Sequence, residues 1–313
     1  MPRPLKVGLL LPDTEGQLDG RSPRWADIRE MAVAAEAVGF DSVWVTDHLI
    51  HRPDTETPTD EATEDGTRGP WECWTLMTAV AAVTERVEIG SLVLCAGFRN
   101  PGLLAKMADT LEEVSGGRLI LGLGAGWNEP EYRAFGFPFD HRVSRFEEYI
   151  RIVRGLLRDG RANIAGAYWQ APDAELRPRG PRPEGPPILI GTTSPRMLEL
   201  AARYADGWNV WFSHTGNDLG RLATILAEVD RACAAVGRDP ATLERTAAIV
   251  MEVGPHGPSS MSGPFIGGTV EELAASLRAH AALGIGHVQV WLEPATLDGI
   301  RAFEPVLAAL DRG

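Results

Sequence analysis

The feature that most constrains the fold is a regular alternation of apolar runs of strand length with amphipathic stretches of helical length. The runs are continuous Val, Ile and Leu segments, typical of strands buried on both faces of a sheet. Eight strands are predicted, at residues 6–12, 42–47, 87–95, 118–126, 187–193, 207–212, 245–253 and 287–293. Strand–helix units force parallel pairing, so eight of them in 313 residues predict a closed (β/α)8 TIM barrel. An open doubly wound sheet is the alternative.

Helices are predicted between the strands, and their ends carry local signals. They include residues 24–39, 102–117, 218–237 and 268–284. Several end in glycine, which accepts the left-handed conformation of a helix C-cap. Thr269 followed by Glu272 forms a capping-box pattern. No linker rich in Pro, Gly and Ser divides the chain, so residues 1–313 are predicted to form one domain.

Composition excludes several classes of protein. A net charge of −13 argues against a nucleic-acid partner, because neutralising phosphates requires a basic face. No apolar run is long enough to span a bilayer, and the N-terminal apolar run is too short for a signal peptide. Three scattered cysteines, without metal-ligand spacing, are typical of reduced thiols. The chain is therefore predicted to be cytoplasmic, with no nucleic-acid or membrane partner and no metal.

Three long stretches interrupt the alternation, at residues 48–70, 159–186 and 254–268. In a barrel the first and third follow the C-terminal ends of strands, which is the face where these folds build their sites. They are therefore predicted to shape a substrate pocket. The second precedes a strand, and its segment 164–170 is predicted to form a small hairpin.

The segment from Arg118 to Phe139 places alternating glycines before a run of aromatic residues. Its glycines superficially match a dinucleotide fingerprint, but that motif requires a long helix directly afterwards, and here the next long helix is predicted only near Arg142. In a barrel, missing side chains let a planar ring approach the main chain. The alternative is that the glycines only relieve crowding inside a narrow barrel.

The chain resembles the bacterial luciferase-like flavin and deazaflavin oxidoreductases, and within that family it resembles the F420-dependent branch. The resemblance covers almost the whole chain in order. It rests on the segments DHL (47–49), WTLMTAVAAVTERVEIGSLVLC (74–95), RNP (99–101), SGGRLILGLGAGW (115–127), EYRAFGFPF (131–139), RFEE (145–148) and LELAARYADGWNV (198–210). It implies a (β/α)8 barrel that binds a flavin or deazaflavin ring at its C-terminal mouth. Gly124, Ala125, Gly126 and Trp127 are then expected at the cofactor.

Asp47 and His48 follow the second predicted strand. A histidine there can take the proton of a substrate as hydride leaves its carbon. The resemblance implies that catalytic role for His48, and Asp47 is expected in the cofactor site. The alternative is a neutral histidine that fixes the following loop through a main-chain bond.

A small polar turn at Gly191, Thr192, Thr193 and Ser194 precedes a predicted helix. The N–H groups at a helix start, together with the helix dipole, form an anion site. The resemblance implies that this turn binds the cofactor phosphate, although relatives often have glycine where this chain has Thr192 and Thr193. Arg196 is predicted to add a charged contact. Its alternative is a surface arginine on the first helical turn.

Leu94 and Cys95 end the third predicted strand, where the family often carries a non-prolyl cis peptide against the ring. The bond is predicted at Leu94–Cys95 or Cys95–Ala96, and both Leu94 and Cys95 are expected at the cofactor. Cys95 is predicted to be an apolar filler, since no adjacent base would make it a nucleophile.

Two tryptophans, Trp71 and Trp291, are predicted to line the substrate pocket. Glu131, Tyr132 and Arg145 are predicted to anchor loops. The resemblance implies hydride transfer between coenzyme F420 and a small organic substrate. An FMN-dependent monooxygenase using reduced flavin and O2, and a flavin-binding barrel without turnover, are the alternatives. A homodimer is implied by resemblance alone, and the substrate's identity is left open.

Overall fold

In the computed structural model, the described residues are 3–18, 20–52, 66–254 and 264–312. Of the two stretches predicted to shape a substrate pocket, residues 53–65 of 48–70 and residues 255–263 of 254–268 therefore lie outside the described residues. Strands and helices alternate along the chain as the apolar pattern predicts.

The strands, in chain order, are β1 (Lys6–Leu10), β2 (Ser42–Val45), β3 (Glu88–Ser91), β4 (Leu94–Cys95), β5 (Leu119–Gly124), β6 (Arg161–Ala165), β7 (Gln170–Glu175), β8 (Ile188–Gly191), β9 (Gly207–Val210), β10 (Glu244–Glu252) and β11 (His287–Glu293). All except β6 and β7 belong to one sheet, in the order β3-β2-β1-β11-β10-β9-β8-β5-β4. The sheet closes because β3 also pairs with β5, at Ile89–Leu119 and Gly90–Ile120. Since β4 continues β3 along β5, the described strands form a closed barrel with eight parallel positions, which confirms the predicted fold.

The helices are α1 (Trp25–Val38), α2 (Cys73–Ala81), α3 (Pro101–Ser115), α4 (Glu129–Phe135), α5 (Arg142–Asp159), α6 (Pro195–Tyr204), α7 (Phe212–Thr215), α8 (Leu219–Ala235), α9 (Val270–Ala282) and α10 (Leu297–Asp311). Gly39 and Gly116 end α1 and α3 in the left-handed conformation, and Thr269 with Glu272 forms the predicted capping box. None of the helices in the described residues is both long and apolar enough to cross a membrane.

Several predicted strands end earlier than the apolar pattern indicates, because their last residues leave the ladder at the barrel mouth. The predicted strand 42–47 stops at Val45, and the Thr46 N–H donates to the side chain of Asp13, 3.1 Å away. The short helix α4 was not predicted. Pro130 in its first turn and Gly136 at its C-cap are the local signals for it.

The predicted hairpin at 164–170 is present and longer, with β6 paired antiparallel to β7. In the turn between β6 and β7, the N–H groups of Ala167, Tyr168 and Trp169 donate to the carboxylate of Glu148 on α5. The Trp169 ring also packs edge-on against Tyr149, with centroids 5.7 Å apart. The insertion is therefore fixed to α5, outside the barrel.

The barrel interior is closed at its N-terminal end by Trp44. A Cβ on Gly8 would lie 2.4 Å from the Trp44 indole nitrogen, and one on Gly90 would lie 2.2 Å from its ring, so both positions must lack a side chain. The Trp44 indole N–H donates to Ser42 Oγ, which lies 2.7 Å from His287 Nε2. Above this floor come Leu10, Leu92, Ile120, Leu189 and Ala248, and then the half-buried side chains Val93, Trp211 and Trp291. The C-terminal mouth begins at that last layer.

Candidate functional site

Asp47 is buried two residues after the end of β2, and its carboxylate accepts three hydrogen bonds from the protein. It accepts the Cys95 N–H at 2.8 Å and two N–H groups of Arg99 at 2.6 and 2.9 Å. Arg99 also binds Glu72, the N-cap of α2. Asp47 thus fixes the end of β4 and the loop after it. Asp47 therefore positions the neighbouring chain, since the hydrogen bonds of its carboxylate are made to Cys95 and Arg99.

His48 lies at the mouth and is held by the buried carboxylate of Glu131 on α4. Its Nδ1 is 3.1 Å from Glu131 Oε1, and the side chain of Glu131 is 2% exposed against 19% for His48. The Leu49 N–H donates to the same carboxylate at 3.0 Å. Among the described residues His48 makes no hydrogen bond to the main chain, and Glu131 instead holds the loop through the Leu49 N–H. Nε2 of His48 has no hydrogen-bond partner among the described residues.

The imidazole of His48 lies between two other rings. The His51 ring is 4.3 Å away between centroids, and Trp127 meets His48 edge-on at 5.6 Å. Burial, followed by the charge of His48, lowers the pKa of His51 to about 4, so His51 is neutral at neutral pH. Trp127 itself is 67% exposed.

The sequence suggested that the glycines of β5 and of the loop after it leave bare main chain, but in the structure they do so only in part. A Cβ on Gly122 would lie 1.9 Å from the carbonyl oxygen of Ser91, and one on Gly126 would lie 2.0 Å from Tyr132 Oη. At these two positions glycine relieves crowding. A Cβ on Gly124 or Gly191 would instead meet the Val93 side chain, at 2.9 and 3.2 Å. The missing side chains of Gly124 and Gly191 thus allow Val93 to lie at the centre of the mouth.

The non-prolyl cis peptide lies at Leu92–Val93, so both predicted positions, Leu94–Cys95 and Cys95–Ala96, are wrong. Leu94 and Cys95 pair in regular parallel register with Leu123 and Gly124. Because the pairing of β4 with β5 is regular, the interruption of strand pairing falls between β3 and β4, where the cis peptide lies. Val93 follows the cis bond directly.

Cys95, Ala125 and Tyr132 form a buried contact behind the mouth. Cys95 Sγ lies 2.8 Å from Tyr132 Oη, and the tyrosine hydroxyl lies 3.0 Å from the carbonyl oxygen of Ala125. Burial raises the pKa of the Cys95 thiol to about 12, so it is not a nucleophile at neutral pH. Tyr132 anchors this loop, as predicted. The Arg145 guanidinium likewise donates to the carbonyl of Asp140.

The turn from Gly191 to Ser194 leads into α6, with Pro195 in the first turn of the helix. The Ser194 N–H donates to Thr192 Oγ1 at 3.1 Å, and Thr192 accepts the Trp208 indole N–H on its carbonyl oxygen. Thr193 is half-buried and Ser194 is exposed. Pro195 has no N–H and the Ser194 N–H is already used, so the N–H groups of Arg196 and Met197 are the ones in this turn without an intrahelical partner. They make the turn suited to an anion.

Arg196 points away from that turn. Its guanidinium binds Glu147 Oε2 at 2.8 Å and Ser144 Oγ at 3.1 Å on α5, and its side chain is 55% exposed. This geometry matches the alternative of a surface arginine on the first helical turn.

Trp291 lies in a shallow cleft at the mouth that is open to solvent. We call it the β1 cleft, and its lining residues are Leu10, Leu11, Pro12, Asp13, Gln17, Thr46, Trp291 and Ala295. The Trp291 indole N–H donates to Glu293 at 3.0 Å. Trp71 is not part of this lining: its ring is 47% exposed and its indole N–H donates to the carbonyl of Pro23. The structure does not bring the two tryptophans together.

A sequence profile of one family, described as luciferase-like monooxygenase, matches residues 5–256 of this chain. The match covers most of the barrel, including the His48–Glu131 pair. The chain belongs to the luciferase-like family. The predicted resemblance is confirmed at the level of the family.

Two curated relatives in this luciferase-like family differ in activity. An F420-dependent glucose-6-phosphate dehydrogenase of Amycolatopsis mediterranei is 37% identical over 188 residues, which are 58% of this chain and 52% of that protein. Pyrimidine monooxygenase RutA of Methylorubrum extorquens is 35% identical over 175 residues, 54% of this chain and 46% of the relative. The match thus spans about half the length of each relative.

A solved structure confirms the fold along the whole chain. It is an F420-dependent secondary alcohol dehydrogenase in complex with an F420-acetone adduct, and it superposes with a TM-score of 0.78. The two proteins are 21% identical, and the superposition covers 99% of each chain. At 21% identity this likeness shows the fold alone and does not show which reaction the chain catalyses.

Proposed function

We propose that this chain is an oxidoreductase that transfers hydride between coenzyme F420 and a small organic substrate. The observation that carries the proposal is the His48–Glu131 pair, which places an imidazole with an unpartnered Nε2 at the barrel mouth. The 37% identical relative named as F420-dependent supports the choice of coenzyme.

The residues present fit a flat ring with a phosphate-bearing side chain. Val93, seated against Gly124 and Gly191, offers an apolar platform at the centre of the mouth. Thr193 and Ser194 at the start of α6 would hold the phosphate through their hydroxyls and the free N–H groups of the helix. When bound, the deazaflavin supplies hydride exchange at its C5 atom.

His48 would manage the proton that accompanies hydride transfer. With Nδ1–H donating to Glu131, Nε2 carries a lone pair and accepts the proton of a substrate hydroxyl as the alcohol carbon is oxidised. The Glu131 carboxylate then stabilises the imidazolium and keeps the ring oriented. In the reverse direction His48 returns that proton to the carbonyl oxygen.

The wider assignments remain predictions. Trp291, in the β1 cleft, is placed to contact a small-molecule substrate, whereas Trp71 has no described contact with that cleft. A homodimer is tested by light scattering on the purified protein. A cytoplasmic location is tested by fractionating cells that express it.

The proposal is tested by mixing the protein anaerobically with reduced F420 and a panel of ketones, aldehydes and enones, while following the absorbance of oxidised F420. We expect re-oxidation with at least one substrate. The RutA relative favours a second candidate, an FMN-dependent monooxygenase. Substrate-dependent oxygen consumption with reduced FMN, and no reaction with reduced F420, would replace the first proposal by the second.

A further inference from the structure

Asn128, the residue before α4, makes a contact that the proposed chemistry of His48 does not use. Its side chain is buried, with 6% of the residue exposed, and Nδ2 donates to the carbonyl oxygen of Ile50, 3.1 Å away. A carbonyl oxygen only accepts, so the amide nitrogen must face it and this partner settles the orientation of the amide. Asn128 therefore joins the start of α4 to the chain just after His48.

Asn128 occupies the N-cap position of α4, but its side chain caps none of the N–H groups of that helix. Asparagine is favoured at an N-cap because its side-chain oxygen accepts N–H groups of the first turn. Asn100 does this at the start of α3, where Oδ1 accepts two such groups at 2.9 and 3.1 Å. In α4 the second helical residue is Pro130, which has no N–H to be capped, and the asparagine side chain binds Ile50 instead.

α4 holds three consecutive residues of the loop, beginning with the histidine. The Glu131 carboxylate lies 3.1 Å from His48 Nδ1 and accepts the Leu49 N–H at 3.0 Å. Asn128 binds the next residue, Ile50. Asn128 and Glu131 are three positions apart, so they lie on the same face of the helix start. The chain after β2 is thus attached to one short helix at each of these three residues.

The carbonyl that Asn128 binds belongs to the peptide that leads from Ile50 into His51. The His51 ring packs against His48, with centroids 4.3 Å apart. On its other side, His51 is held by two main-chain hydrogen bonds to Arg68, both 2.8 Å long. The Asn128 bond therefore fixes the peptide between these attachments, and with it the ring that His51 places against His48.

We propose that Asn128 is a positioning residue for proton transfer by His48 and acts through the Ile50 carbonyl. The inference rests on the proposed function for the proton transfer itself, whereas the state of the imidazole is measurable without a cofactor. With the Ile50 peptide fixed, His48 keeps its Nδ1–H on Glu131 and its Nε2 for the substrate. Without the Asn128 bond the peptide is free to rotate, and the Nδ1–H then exchanges Glu131 for water.

The test compares two asparagine-to-serine variants. Serine ranks with asparagine as an N-cap residue, so α3 and α4 both keep a capping group. In Asn128→Ser the shorter hydroxyl does not reach the Ile50 carbonyl. Asn100→Ser, at an exposed position that only caps its helix, is the matched control. Asn128→Asp keeps the size of the side chain without an N–H donor, and it should behave as Asn128→Ser does.

The first measurement is the tautomer of His48 in cofactor-free protein. It is given by the ¹⁵N shifts of the ring in alkaline buffer, which are assigned by their loss in His48→Asn. Wild type and Asn100→Ser should carry the hydrogen on Nδ1. Asn128→Ser should show a mixture of the two tautomers, a change that a residue needed only for folding would not cause.

The second measurement is turnover with reduced F420. In Asn128→Ser, kcat should fall about tenfold while the Kd for F420 stays the same, because a displaced proton acceptor slows the reaction without weakening cofactor binding. Asn100→Ser should keep both values.

Two results would overturn the inference: a single Nδ1–H tautomer in both Asn128 variants, or an equal change of tautomer in Asn100→Ser. A mixed tautomer with kcat within twofold of wild type would overturn it as well. If wild type does not turn over with F420, the proposed function fails, and the tautomer alone decides whether Asn128 positions the ring.

Discussion

Two histidines lie at opposite ends of the barrel and show how position determines what the same side chain can do. His287 begins β11 at the closed floor, where its Nε2 lies 2.7 Å from Ser42 Oγ. His48 follows β2 at the mouth, where Nδ1 binds Glu131 and Nε2 has no described partner. Both have a fixed ring, but of the two only His48 pairs with a carboxylate and lies at the mouth, where a ligand can reach it.

The electrostatic surroundings extend this difference. Burial, and then the charge of Lys6, lowers the pKa of His287 to about 3, so it stays neutral in the folded protein at any ordinary pH. His48 has the buried carboxylate of Glu131 within 3.1 Å, which stabilises a positive charge on the ring. The floor therefore holds a structural histidine, whereas the mouth holds the histidine to which we assign proton transfer in the proposed function.

Replacing His48 should give the largest effect. His48→Asn removes the proton acceptor, so turnover with F420 should fall about 100- to 10,000-fold while the Kd for F420 stays the same. Steady-state rates and a fluorescence titration measure the two quantities. Turnover within twofold of wild type would show that His48 handles no proton.

Lowering the pH should destabilise the folded protein through His287. Below pH 6.5 the unfolded chain protonates this histidine, but the folded chain does so only near pH 3, so acidification between these values favours unfolding. This group alone should remove on the order of 4 kcal/mol from the free energy of unfolding across that window. Urea unfolding of wild type, His287→Gln and the exposed control His141→Gln measures it. A slope unchanged in His287→Gln would contradict the assignment.

Glu131→Gln should have an intermediate effect. The amide oxygen still accepts from His48 Nδ1, but the charge that stabilises the imidazolium is gone, so turnover should fall about 10- to 100-fold and its pH profile should shift. Glu129→Gln, an exposed change on the same helix, is the control. If the two variants retain the same activity and pH profile as each other, Glu131 serves only to anchor the loop.

Arg196→Gln should give the smallest effect. The guanidinium is exposed and paired with Glu147, and such surface pairs contribute about 0–1 kcal/mol. The Kd for F420 should therefore change by less than about threefold. A tenfold loss of affinity would show instead that Arg196 turns toward the cofactor phosphate.

The barrel was predictable because its signals are local: apolar runs mark the strands, and Gly39, Gly116 and Thr269 mark helix ends. His48 could be named as a candidate from sequence because it follows a predicted strand at the mouth and matches a histidine of the family it resembles. Its link to Glu131 was not, because 83 positions separate the two in the chain and no local pattern joins them. The role of Gly122 was also hidden, since only the distance to Ser91 on a neighbouring strand reveals crowding.

The central claim is that the mouth around Val93, Gly124 and Gly191 receives the deazaflavin ring of F420, within reach of His48. The most direct measurement is an equilibrium titration of the purified protein with F420 and, in parallel, with FMN. The account predicts saturable binding of F420 and no response to FMN at the same concentrations. Saturable binding of FMN without a response to F420 would contradict it.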